Sequence, residues 1–389
     1  MSMNEYTDFL ENAMTEPGME DVSLPYLKDI LGEFRKLPER LDEFIRIHGY
    51  DGNMTDENEK ADFLKKRFKS HHLPSQRDVD LWFTGKRFGR NAAFFICFAF
   101  DLTIEETDDF FKRVYQERSF DCRDKDEMVY FYCIRNGYGY EKADGLIKQI
   151  EAIPDNGDSS YQVMYTAEIK RQVEDLDSDE DLLEFVRENR AQLDFHNYTA
   201  KENVRTLWNE IQDTAVKEDE RFSELDDDDK ERLSVQAENG NKISIYDVFR
   251  FILGLTADEI KSIGSDRSIK PIIKALGPAV SDCFPEQQAL GKILRDSDVK
   301  AETVRRMLIL MAFYKSQAQS KLNGDIENAG DRCNAYINQT LSESGFDSMY
   351  PGNPYDWIFL YANAHYEGLE LFRDIMRELS WECAYKSKT

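Results

Sequence analysis

Apolar side chains recur along this chain with helical spacing. Leu27, Ile30, Leu31, Phe34 and Leu37 fall on one stripe of a helix. Asp181–Leu193 repeats the pattern through Leu182, Leu183, Phe185, Val186 and Leu193. Val204, Leu207, Trp208 and Ile211 make a further stripe, and Val248, Phe249, Ile252 and Leu253 another. Runs that alternate with period two are too short for strands. The pattern predicts an all-α protein, a multi-helical array of many short helices.

Breaks in the periodicity suggest a four-part organisation. The polar stretch Asp51–Lys60 separates an N-terminal helical segment, 1–50, from a module at 60–150. A second break, Ile153–Ser160, precedes a central acidic region at 161–280, and a C-terminal module occupies 284–389. The run Asp226–Asp229 reads as a solvated linker or a helix start. Asp175–Asp181 is only superficially like a calcium loop. Its sixth position is Glu180 where the turn needs glycine, and its twelfth is Val186 where a bidentate glutamate is needed. It reads instead as acidic capping of the next helix.

Composition narrows the function classes. The 389 residues carry 50 Lys+Arg against 76 Asp+Glu, a net charge of −26, which opposes unspecific coating of nucleic acid or attachment to anionic lipid. Hydrophobic residues at 41% give enough apolar surface for a sizeable core. The start, Met1–Tyr6, has no signal-peptide pattern, and the strongly apolar run Ala92–Phe100 is half the ~20 residues that span a bilayer. Cys97, Cys122, Cys133, Cys283, Cys333 and Cys383 are scattered without metal or disulfide spacing. The expectation is a cytoplasmic protein with reduced thiols, no membrane association and no cofactor.

One segment reverses the overall sign. Between Lys60 and Arg90, nine cations (Lys60, Lys65, Lys66, Arg67, Lys69, Arg77, Lys86, Arg87 and Arg90) face three anions, Asp62, Asp78 and Asp80. Such a concentration suits a phosphate-contacting surface, and equally suits a basic helix that pairs with the acidic remainder of the molecule. Within it, Leu73–Arg87 reads as a Pro-Ser helix start at Pro74–Ser75, a short helix burying Val79, Trp82 and Phe83, and a terminating turn at Gly85. An apolar helix, Arg90–Phe100, follows, and Asp101–Thr107 opens the next.

This order of elements resembles the second half of a lambda-repressor-like (XRE) helix-turn-helix domain, over about 50 residues. The resemblance implies that the short helix lies in the DNA major groove with Ser75, Gln76, Arg77 and Asp80 facing the bases. It implies that Lys66, Lys69, Lys86 and Arg87, with Arg90 at the next helix start, hold phosphates of double-stranded DNA. The preceding helix would be Ala61–Lys69, which lacks the usual small residue at the tight turn.

A degenerate second copy is also legible. Phe284–Gln288 echoes Leu73–Arg77, Met307–Tyr314 echoes Ala93–Phe100, and Tyr355–Tyr361 echoes Asp126–Tyr132, so the C-terminal module is related to 73–133. It lacks the strong cationic excess, which points to packing, dimerisation or partner binding. Asp356 reads as the cap of a helix beginning at Trp357. The combination is similar to large helix-turn-helix-like proteins of gut clostridia and their mobile elements, implying bacterial regulation or defence near mobile DNA.

Enzyme signatures are missing: there is no phosphate loop, no nucleophile elbow and no His-Glu-x-x-His. The five histidines are His48, His71, His72, His196 and His365, and the adjacent pair His71–His72 splays its rings about 100° apart on a helix. The sequence therefore leads to two expectations. The first is a sequence-specific DNA-binding transcriptional regulator, as a homodimer. The second is a non-catalytic acidic interaction module or inhibitor, a nucleic-acid mimic or defence-related adaptor, that binds a basic partner protein.

Overall fold

Every regular element is a helix among the residues that the computed structural model describes: 3–15, 24–154, 166–193, 197–221, 244–263 and 269–386. The chain divides into two compact units, one of residues 35–198 and one of residues 3–34 together with 199–389. These two units are cut differently from the four parts read from composition. The first two helices, α1 (Met3–Thr15) and α2 (Leu24–Gly32), belong with the C-terminal half. The expected central region, 161–280, is divided after Tyr198.

The unit of residues 35–198 contains α3 (Leu37–Ile47), α4 (Glu57–Ser70), α5 (Val79–Trp82), α6 (Arg90–Ala99), α7 (Ile104–Phe110), α8 (Lys125–Arg135), α9 (Tyr140–Glu151), α10 (Thr166–Glu174) and α11 (Asp179–Leu193). The stretch Asp51–Lys60 lies inside this unit and runs into α4. The Asp56 carboxylate accepts the Asn58 and Glu59 amides at 3.0 and 3.1 Å, satisfying two orphan donors of α4. The core runs along α6, where Ala92–Ala99 are all buried. Its rings interlock edge to face or tilted, with Phe94 4.7 Å from Phe111 and 5.2 Å from Tyr130. The expected opening of α7 is present as a capping box, Thr103 and Glu106 each bonding the other's backbone amide. Ser178 and Asp181 do the same for α11.

The second unit continues with α12 (Tyr198–Arg221), α13 (Ile245–Leu253), α14 (Ala257–Ser262), α15 (Lys270–Ala275), α16 (Pro278–Ser281), α17 (Gln287–Leu294), α18 (Ala301–Asn323), α19 (Ala329–Glu343), α20 (Pro354–Asn363) and α21 (Gly368–Lys386). Its core surrounds α18, on which Met307–Tyr314 are all buried. Trp357 on α20 stacks on Tyr361 at 4.9 Å, meets Phe34 edge-on at 6.0 Å and donates its indole N–H to the Leu10 carbonyl at 2.9 Å. That places an N-terminal helix and a C-terminal one in the same core.

Asp356 does not cap its helix. Asn353 does, accepting the Tyr355 and Asp356 amides. Asp356 instead faces Arg305 of α18 in a two-pronged, buried pair at 2.8 and 2.7 Å. The acidic run Asp226–Asp229, the part of the second break from Asp155 to Ser160, and His196 lie outside the described residues.

Candidate nucleic-acid interface

The segment 60–90 begins on α4, whose buried side is Ala61, Leu64 and Phe68. The backbone leaves α4 through His72, a non-glycine residue at φ 54°, and runs without helix from Leu73 to Asp78. The helix expected over Pro74–Gly85 contracts to the single turn of α5. Val79, Trp82 and Phe83 are buried as the pattern predicts, Trp82 lying 4.7 Å from Phe88 and 6.1 Å from Phe68. One turn is enough to bury all three. Gly85 at φ 112° then reverses the chain, and the Lys86 amide donates to the Leu81 carbonyl at 2.9 Å.

Ser75, Gln76 and Arg77 consequently precede the helix instead of lining one of its faces. Ser75 and Arg77 are exposed, while the Gln76 amide donates to the Pro74 carbonyl at 3.2 Å. Only Asp80, of the four base-facing candidates, lies on α5, and its carboxylate accepts from Lys65 at 2.6 Å.

Most of the cations have intramolecular partners. Lys60 is buried, bonds both Asp42 oxygens at 2.7 and 2.9 Å and sits over the Phe83 ring. Burial pushes the Asp42 carboxyl above its ordinary value despite Lys60. Arg67 stacks on Phe100 and Phe63, its guanidinium 5.0 and 5.7 Å from the ring centres. Lys86 pairs with Asp78 at 2.6 Å, and Arg87 pairs with Glu117 at 2.6 Å while covering the Tyr115 ring.

Arg90 is the most deeply engaged. Its guanidinium grips both Glu127 oxygens, donates to the Arg118 and Ser119 carbonyls and lies against Phe94 and Phe111. Burial alone would depress it, but the Glu127 hydrogen bond and charge hold it above the ordinary arginine value. Burial conversely raises Glu127 in spite of Arg90. Arg90 thus ties the start of α6 to the Arg118–Ser119 backbone and to Glu127 on α8, and is not part of an open surface. Lys66, Lys69 and Arg77 remain exposed, with no ion pair among the described residues. Lys66 and Lys69 share a face of α4.

The acidic partners, Asp42, Glu117 and Glu127, escape a composition count because they come from other elements. Glu127 carried a usable signal: a carboxylate beside Met128, Val129 and Tyr130 at the start of an apolar helix needs a buried cation. The histidines diverge. His71 bonds the Arg67 carbonyl and faces Asp101 at 3.1 Å, whereas His72 is turned toward Glu141. Among the described residues no group of three or more His, Cys, Asp or Glu side chains could hold a metal ion, and no helix is long and apolar enough to cross a membrane. The chain matches no protein-family model, no curated protein and no solved structure.

Proposed function

We propose that the chain is a non-catalytic helical adaptor whose anionic surface engages a basic partner protein in the cytoplasm. The observation that carries this reading is the fate of the cationic segment. Six of its nine cations, Lys60, Lys65, Arg67, Lys86, Arg87 and Arg90, are held by the chain's own carboxylates or rings. The field outside is then governed by the net charge of −26, which attracts a cationic protein and repels duplex phosphates. Isothermal titration of the full chain with a lysine- and arginine-rich peptide and, in parallel, with duplex DNA tests it. Salt-sensitive binding of the peptide alone is expected; binding of DNA alone overturns it.

A second reading, a dimeric sequence-specific DNA-binding regulator, is favoured by the exposure of Lys66, Lys69 and Arg77. The two phosphate contacts left to Lys66 and Lys69 give weak, salt-dependent association. In that reading Ser75 and Arg77 meet the duplex from a loop, not from a groove-lying helix.

A further inference from the structure

The last turns of α21 carry a stripe that the core does not use. Trp381 and Tyr385, one turn apart, are 59% and 73% exposed, and neither ring has an aromatic or cationic partner among the described residues. The helix buries its other side: Phe372, Met376 and Leu379 enter the core, and Cys383 lies against the Pro271 carbonyl at 3.6 Å. Large rings left in water on an ordered helix, one turn apart, mark a contact surface more than a packing remainder.

Three carboxylates flank this stripe, two of them paired with cations of the chain. Asp374, Glu378 and Glu382 follow one another a turn apart on α21. Asp374 is engaged by Arg377 at 3.0 Å and Glu382 by Lys28 at 2.6 Å. Glu378 is exposed and has no ion pair among the described residues, and it sits one turn before Trp381. Two open π faces beside one unpaired carboxylate are complementary to a guanidinium or ammonium group. The cation stacks on a ring while its N–H groups reach the carboxylate.

We propose that Glu378, Trp381 and Tyr385 form the docking stripe for a basic segment of the partner protein. Arginine or lysine side chains of that segment lie over the two rings and bond Glu378. This rests on the adaptor reading above and names its surface. The partner therefore presents cations at a spacing near one helical turn, matching Trp381 to Tyr385.

The test uses the full chain and a fluorescein-labelled arginine–alanine repeat peptide, followed by anisotropy. Trp381→Ala with Tyr385→Ala is expected to weaken binding about tenfold or more, and Glu378→Gln about threefold. Glu105→Gln, which removes one exposed charge in the other unit, is expected to leave it unchanged. Circular dichroism of each variant guards against misfolding. Equal peptide affinity for wild type and the double variant overturns the stripe while leaving the adaptor reading intact. No peptide binding by wild type overturns both. Self-association of the wild type in sedimentation that the double variant abolishes also overturns the proposal, because the stripe then belongs to a second copy of this chain.

Discussion

Glu127 and Asp356 hold the same station in the two units. Each lies three residues beyond a helix cap, Asp124 or Asn353, that accepts its backbone amide. The carboxylate of each accepts the backbone amide of the residue six earlier, Asp121 at 2.7 Å and Tyr350 at 2.9 Å. Each then closes on an arginine of its unit's apolar helix, Arg90 for Glu127 and Arg305 for Asp356. The two stretches that align in sequence, Asp126–Tyr132 and Tyr355–Tyr361, carry this shared construction.

A buried pair of this kind is costly to break one-sidedly, since the remaining charge has no water to turn to. Asp356→Asn is expected to destabilise the fold by about 3–5 kcal/mol in urea unfolding. The double change Arg305→Met with Asp356→Leu is expected to recover part of that loss, because both charges leave together while the Tyr350 amide loses its acceptor.

Four cysteines are buried and two are not fully covered. Burial pushes the Cys133 and Cys333 thiols up to about 12, so almost no thiolate exists near neutral pH. Cys283 and Cys383 are half-buried. Titration with a thiol-reactive chromophore is expected to label these two first, and the four buried thiols only after denaturant is added.

One carboxylate ties acid stability to an ion-pair cluster. Burial pushes Glu370 up, but Lys321 at 2.6 Å and Arg373 at 3.2 Å together hold it below the ordinary 4.5 of a glutamate. The unfolded chain therefore takes up this proton first. The stabilisation is present above about pH 4.5 and is lost as pH falls through the lower folded value. Glu370→Gln is expected to lower stability at neutral pH and to flatten its decline on acidification, measured by urea midpoints across that range.

Gly330 marks where α19 meets the end of α20. A β-carbon there would stand 1.7 Å from the Asn363 carbonyl oxygen, a backbone atom that cannot rotate away. Gly330→Ala is expected to cost about 1–3 kcal/mol through forced separation of the helices, seen as a lower thermal midpoint.

Helical class and core were legible because burial writes itself into periodicity. Val79, Trp82 and Phe83 were readable as core from spacing alone, and so was the apolar helix after Arg90. The length of α5 was not, since three apolar residues fit one turn as well as three. The charge balance of 60–90 misled for a different reason. It counts neighbours in sequence, whereas Glu117, Glu127 and Asp42 reach Arg87, Arg90 and Lys60 across the fold. The unit boundaries were hidden for the same cause. Trp357 and Leu10 meet in one core although almost the whole chain separates them.

On the proposed adaptor reading, internal pairing keeps the segment 60–90 off nucleic acid. Anisotropy of a labelled duplex at low and moderate salt, with the wild type and with Lys66→Glu, Lys69→Glu, Arg77→Glu combined, tests it most directly. No retention of the duplex by either protein is expected at either salt. Tight duplex binding by the wild type that the triple variant abolishes would contradict it.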